Sequence, residues 1–263
     1  MGDHSRGHDL GERLYLPGDT VLHRLPAHVK ILSLLLTMLV VVATSGERYG
    51  AFVGYALLVA GLVVVARIPL RTLGTRMTVE IPFVVFALLM PVIGSDPRVL
   101  VGPVSLSEPG LLAAWTLLAK ATLGVVCAIV LAATTSTTDL IAGLRRLRLP
   151  DLLVQIVASM IRYIHVVSAE FSRMSRARVA RGFSGRGPKS WPILARSLGT
   201  LFIRSYERGE RVHLAMLARG YTGQMPQLQP QTAATTAQYA IGATLPIAAA
   251  VLLGSSLWLA VIS

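Results

Sequence analysis

Five stretches of this chain stay apolar for too long to be covered by the rest of it, and they decide what it can fold into. About 20 apolar residues carry a helix across the hydrocarbon core of a bilayer, and a helix satisfies every backbone group within its own segment. Ile31 to Thr44 is the first run, short but unbroken. Tyr49 to Ala66 is the second, closed by Arg67-Ile68-Pro69. Val79 to Gly94 is the third, with Glu80 and Pro82 at one end and Pro91 near the other. Leu111 to Thr134 is the fourth, with Lys120 as its one charge, and Tyr239 to Ile262 is the last. Composition agrees with a membrane solvent. Of 263 residues, 53% are hydrophobic and 14% charged, against roughly a quarter charged in soluble domains. The first run starts about 30 residues in without a small-residue cleavage pattern, so it reads as a span and not as a signal peptide. The expected fold class is all-α: a polytopic membrane helix bundle of about five spans.

A net charge of +12 invites a nucleic-acid reading in a soluble protein, but in a membrane protein its distribution reports topology. With the N-terminus placed in the cytoplasm, 22 of the 25 Lys and Arg fall inside. Only Arg48 and Arg98 fall outside, and Lys120 lies within a span. The expected organisation is a cytoplasmic N-terminal tail over 1–30, four spans over 31–134, a cytoplasmic element over 135–238 and a last span over 239–263.

The cytoplasmic element carries 15 of the Lys and Arg. Thr135-Ser136-Thr137-Thr138-Asp139 supplies N-cap residues for a short helix, about Leu140 to Arg148. Pro150 opens the next helix at a position it tolerates, and no Pro or Gly interrupts the chain from Asp151 to Arg181. Its first half, Leu152 to Val167, is apolar apart from Gln155, Arg162 and His165. This half is expected to lie at the membrane surface or against the bundle. Its second half is basic, and Glu170 is expected to pair with Arg173 or to hold the crossing of two helices. Ser190-Trp191-Pro192 restarts a helix with an apolar stripe of Leu194, Leu198, Leu201 and Phe202. Glu207 and Arg211 stand at pairing distance on it. Gly209 is expected to bend or split this helix. The uncharged stretch Gln224 to Gln238 reads as a linker.

Both long helices end in the same phrase: "ARGFSG" at 180–185 and "ARGYTG" at 218–223. Glycine just past the last turn caps a helix in the left-handed conformation, and a basic residue there complements the helix dipole. That local rule explains each copy alone. It does not explain why Ala177 and Ala215 also match, or why an aromatic, a hydroxyl and a second glycine follow in both. Two tips of one chemistry suggest two similar receptors, each offering a carboxylate to a planar guanidinium. The candidate site residues are Ala180, Arg181, Gly182, Ala218, Arg219 and Gly220.

Other chemistry is thin. A single Cys127 in an apolar run gives no disulfide framework and reads as packing. His4, His8, His23 and His28 read as solvated chain before they read as metal ligands. No glycine-rich loop with Lys-Ser/Thr cradles a nucleotide, and no cofactor is expected. Lys120 should face the bundle or a partner, or reach an interface.

"HRLPAHVKIL" (His23 to Leu32), "LRRLRLP" (Leu144 to Pro150), "SMIRYIHVVSAEFSRMSRARVARG" (Ser159 to Gly182) and "ERGERVHLAMLARGY" (Glu207 to Tyr221) occur in that order, flanked by spans. Together they resemble the transmembrane T component of energy-coupling-factor (ECF) ABC transporters, in particular the cobalt-type CbiQ family. The resemblance covers nearly all of the chain. It implies a non-catalytic subunit in the cell membrane of a prokaryote. It also implies two cytoplasmic ABC ATPase subunits, each taking one helix tip in a groove where an acidic residue meets Arg181 or Arg219. A separate membrane substrate-binding, CbiM-like subunit would carry the cargo, most consistently cobalt(II), alternatively nickel or a vitamin such as biotin. The family often has Ala where Gly209 stands here.

Three other readings fit less of the chain. A lipid-modifying intramembrane enzyme would need acidic pairs at a span boundary. The membrane domain of an ordinary ABC importer usually offers one short coupling helix per subunit, whereas two tips in one chain serve both ATPases. A nucleic-acid module lacks aromatics interleaved with its basic residues. The orientation has a direct check: a cysteine placed at residue 98 should label with an impermeant maleimide from outside intact cells, and one at 186 only after permeabilisation.

Overall fold

The computed structural model describes residues 15–94, 96–101, 104–183, 187, 190–223 and 234–262. His4, His8, Ser184, Gly185, Arg186 and most of the linker after Tyr221-Thr222-Gly223 lie outside the described residues. The chain divides into two units, one containing Leu144–Gln231 and the other Leu10–Gly143 with Thr232–Ser263.

The larger unit is a helix bundle. A short helix α1 (Val21–Arg24) leads to α2 (Ala27–Ala43), and α3 (Tyr49–Val65) follows a tight turn. Next come α4 (Leu70–Arg76), one 3-10 turn (Met77–Glu80) and α5 (Ile81–Ile93). Then α6 (Glu108–Thr134), α7 (Thr137–Arg146) and, after the other unit, α10 (Thr236–Ile262) complete the set. Leu70–Ile93, Glu108–Thr134 and Thr236–Trp258 are each long and apolar enough to cross a membrane. At 17 residues apiece, α2 and α3 stand at the lower end of the spanning range. The chain is a multi-pass membrane protein.

Helix α10 packs on α2 and α3, α5 packs on α6, and α2 and α3 both pack on α6. Their shared core holds Val41, Phe52, Tyr55, Val59, Val130 and Ala133. The outer faces keep Leu57, Phe86, Leu88 and Ile93 exposed, as helices turned toward lipid require. Cys127 is buried in this core, where it packs as a small apolar residue. Tyr55 is fully buried, and its hydroxyl meets Thr44 Oγ1 at 2.9 Å, so its one polar atom is satisfied.

Three differences from the sequence reading have physical reasons. Between α5 and α6 the chain forms an antiparallel hairpin, β1 (Arg98–Val101) with β2 (Val104–Ser107), joining an otherwise helical fold. Its β-branched alternation fell below the length of the apolar runs. Helix α7 starts and ends earlier than 140–148, because Ser136 Oγ accepts the Asp139 backbone N–H at 3.1 Å and fixes the first turn. Gly209 does not split its helix, which runs unbroken over 28 residues. A cost of about 1 kcal/mol for one glycine is small against a helix of that length.

Two lysines close the ends of neighbouring helices by the same device. The last carbonyls of a helix have no intrahelical partner. Lys30 is buried, and its Nζ donates at 2.7 Å to the carbonyl of Thr134, the last residue of α6. The backbone N–H of Leu16 donates to the adjacent Ala133 carbonyl at 2.9 Å. Lys120, the one charge in the fourth apolar run, faces the bundle and donates from Nζ to the Val42 carbonyl at 2.8 Å, closing the end of α2. His28 Nε2 lies 3.1 Å from the Tyr239 hydroxyl and ties α2 to the start of α10. His23 contacts Thr20 Oγ1 at 2.6 Å and the Leu16 carbonyl at 3.0 Å. These two histidines therefore have structural partners. Among the described residues no three His, Cys, Asp or Glu side chains gather as a metal site.

Lys30→Met keeps most of the apolar stem and removes its donor. It leaves a buried carbonyl unpaired and should lower stability by about 1–3 kcal/mol. The check is the thermal unfolding midpoint of the detergent-purified chain, with Lys30→Arg as the donor-retaining control.

Candidate functional site: two arginine-tipped helix ends

The second unit is built on two long helices. Helix α8 runs over Asp151–Ala180 and helix α9 over Trp191–Ala218. Pro150 precedes α8, and Pro192 occupies the first turn of α9, where a missing N–H costs no hydrogen bond. Contacts along their length run in opposite senses. Arg178 Nη1 donates to Ser197 Oγ at 3.1 Å, Arg204 Nη1 reaches Glu170 Oε1 at 2.6 Å, and Gln155 Nε2 donates to the Gly223 carbonyl at 2.8 Å. The helices therefore form an antiparallel pair. Their C-termini lie at opposite ends of it, on the order of 35 Å apart by helical rise.

Glu170 holds the middle of the pair. Its carboxylate takes Arg173 of its own helix at 2.5 Å and Arg204 of α9 at 2.6 Å. Both alternatives read from the sequence are realised: local pairing and the helix crossing. It stands beyond the apolar half of α8, and Arg173 first, then Arg204, hold its carboxyl below the usual carboxylate range. Glu207 and Arg211 pair loosely at 3.9 Å on an exposed face, which contributes little. Arg162 stacks over Tyr163, its guanidinium carbon 5.1 Å from the ring centre.

The two helix ends close identically. Gly182 has φ +79 and Gly220 has φ +81, the left-handed region that a side chain enters at a cost. The Phe183 N–H donates to the Arg178 carbonyl and the Gly182 N–H to the Val179 carbonyl, at 3.1 and 3.0 Å. At the second end the Tyr221 N–H donates to Met216 and the Gly220 N–H to Leu217, at 3.0 and 2.9 Å. This six-to-one plus five-to-two pattern is the Schellman closure. It puts Arg181 and Arg219 at the C-cap, with near-equal backbone angles (φ −89, ψ 17 and φ −96, ψ 12). Both arginines are exposed. Among the described residues neither side chain has an ion-pair or hydrogen-bond partner. Ala180 and Ala218, the last helical residues, are exposed beside them and add no bulk at the tip.

The sequence reading missed part of this unit. Gln155 was visible there only as an interruption of an apolar run. Its Oε1 accepts the Tyr221 hydroxyl and its Nε2 reaches Gly223, so it grips the segment after the second tip. The signal was present in the repeat itself, where one copy has Tyr and the other Phe. Between the helices lies a cavity of about 400 Å3, lined among others by Leu152, Ile156, Met160, Tyr163, Arg208 and Gly209. The missing side chain of Gly209 leaves room there. Of the stripe on α9 only Leu201 is buried; Leu198 and Phe202 are exposed.

The fold is that of a multi-pass helical membrane protein, and its family is that of a transport protein. The sequence model of the family described as CbiQ, cobalt transport protein, matches residues 18–230, and the chain belongs to that family. It is 29% identical over 191 residues to the cobalt transport protein CbiQ of Rhodobacter capsulatus, covering 71% of this chain and 74% of that one. It is 25% identical over 223 residues to the energy-coupling factor transporter transmembrane protein EcfT of Bacillus subtilis, covering 80% and 83%. A 106-residue segment is 33% identical to an uncharacterized protein of Methanocaldococcus jannaschii, 40% of each chain.

Ala in the left-handed region costs about 1–2 kcal/mol. Gly182→Ala and Gly220→Ala should each open the last turn of the helix concerned. The measurement is hydrogen exchange, which should rise at the amides of residues 182–183 or 220–221 only, with Asn substitutions closer to the parent.

Proposed function

We propose that this chain is the transmembrane coupling subunit of an ECF-type ABC importer. The observation that carries the reading is the pair of matching helix ends, each presenting an exposed guanidinium with no partner among the described residues. A carboxylate takes a guanidinium through two parallel hydrogen bonds, and small residues at the tip let a groove close around it. Two such ends suit two copies of one receptor, here two cytoplasmic ABC ATPase subunits. Arg181 and Arg219 are the docking cations, set by Ala180, Gly182, Ala218 and Gly220. ATP-driven closure of the ATPases moves the two helices and, through them, the membrane bundle. The bundle in turn reorients a separate, CbiM-like membrane subunit that holds the cargo. The chain itself performs no catalysis.

The exposed apolar residues of the helix pair support a protein or membrane neighbour: Leu152, Met160, Trp191, Phe202 and Tyr206 are each at least 66% exposed. An isolated soluble surface rarely carries so many together. The basic excess supports a cytoplasmic N-terminus and cytoplasmic helix pair in the cell membrane of a prokaryote. Family membership favours cobalt(II) as cargo, with nickel or a vitamin such as biotin as the alternative. A co-purifying cargo subunit would decide between them.

Arg181→Glu or Arg219→Glu should each lower capture of the cognate ATPase and ATP-driven uptake by the assembled transporter. The double substitution should abolish both. Normal uptake by the double variant would sink the assignment.

A further inference from the structure

The two tips share a closure, and among the described residues only the second has an anchorage beyond it. Beyond the second tip, Tyr221 donates its hydroxyl to Gln155 Oε1, and Gln155 Nε2 donates to the Gly223 carbonyl at 2.8 Å. Gln155 stands in the first turns of α8 and is half-buried, as is Tyr221. One amide thus holds both a side chain and a backbone group of the segment leaving Arg219. Gly223 has φ +95, so the chain turns where it is held. The first tip has Phe183 at the matching position. A phenyl ring has no hydroxyl, so that bond is chemically impossible there.

We propose that Gln155 pre-orders the second docking tip, making the two tips unequal partners for two like ATPase subunits. The proposal rests on the docking reading above and adds a positioning residue and an order of engagement. A segment held in its bound shape loses less freedom on docking, and the gain appears as affinity. The Arg219 tip therefore engages first, at lower ATPase concentration, and the Arg181 tip follows. Gln155 touches neither ATPase nor nucleotide in this role; it acts through Tyr221 and Gly223.

The experiment uses the full chain in detergent with its cognate ATPase. Single cysteines replace Ala177 or Ala215, the exposed matching positions one turn before each tip. The native Cys127 is buried, with 3% of its surface exposed, and contributes little labelling. Protection from maleimide is followed against ATPase concentration at each position. In the parent chain residue 215 should be half-protected at lower ATPase concentration than residue 177. Tyr221→Phe makes the second tip a copy of the first at this position. It should raise the half-protection concentration at 215 roughly three- to tenfold, the range of one or two lost hydrogen bonds, and leave 177 where it was. Gln155→Leu should do the same. Equal protection of both positions in the parent, or an equal shift at both in the variants, would overturn the proposal. Absence of protection at either position in the parent would remove the docking reading itself, an outcome distinct from the other two.

Discussion

A helix that ends leaves carbonyls without partners, and the way this chain closes its helix ends organises the rest of the molecule. In a bilayer an unpaired carbonyl cannot turn to water, so each end inside the bundle needs a donor from elsewhere in the protein. Lys120 of α6 closes α2, and Lys30 of α2 closes α6 with help from the Leu16 N–H. Each of these two helices thus carries the cation that finishes the other. In the second unit the same need is met by backbone alone: Gly182 and Gly220 fold the chain back, and the following N–H groups reach the orphan carbonyls. No side chain is consumed in the process. Among the described residues Arg181 and Arg219 have no partner, and the glycines beside them supply the capping.

That division separates the basic residues of the helix pair by role. Arg173 and Arg204 are committed to Glu170, and Arg178 reaches across to Ser197 and lies 5.7 Å from the Phe171 ring centre. Arg204 and Arg178 join α8 to α9, while Arg173 braces Glu170 from its own helix. The two C-cap arginines join nothing among the described residues. Both stand exposed on well-formed turns, which is the observation the proposed docking rests on.

The spans were legible because a run of apolar residues is a one-dimensional property. The helix ends were legible because Ala-Arg-Gly states its own closure. What the chain order concealed was pairing across distance. Lys120 read as a charge in a span until the Val42 carbonyl stood beside it. Gln155 read as a flaw in an apolar stretch until Tyr221 and Gly223 lay against it. The hairpin at 98–107 was too short to register beside long apolar runs. Hydropathy alone does not separate α8 from the spans. By length and composition Asp151–Ala180 counts among the possible membrane crossings, while α2 and α3 fall short of the same length. Hydropathy measures what is apolar and is blind to what covers it. The exposed Leu152, Ile156 and Met160 serve a protein surface as well as they would a lipid one.

The choice between the two cations follows from what each must bind. Only three lysines occur in the chain, Lys30, Lys120 and Lys189. The first two each deliver one compact ammonium to a carbonyl at the end of a neighbouring helix. A long flexible stem with a point charge suits that task, since one acceptor must be found in a crowded bundle and the stem packs as hydrocarbon on the way. Arginine supplies the charge almost everywhere else. Its planar fork is poorly matched to a lone carbonyl and well matched to a carboxylate, as the two arginines on Glu170 show within the chain. Arg181 and Arg219 present that same fork outward. The guanidinium–carboxylate chemistry that joins Arg204 to Glu170 is the chemistry the proposed docking would use, and a lysine at either tip would keep the charge and lose the planar fork.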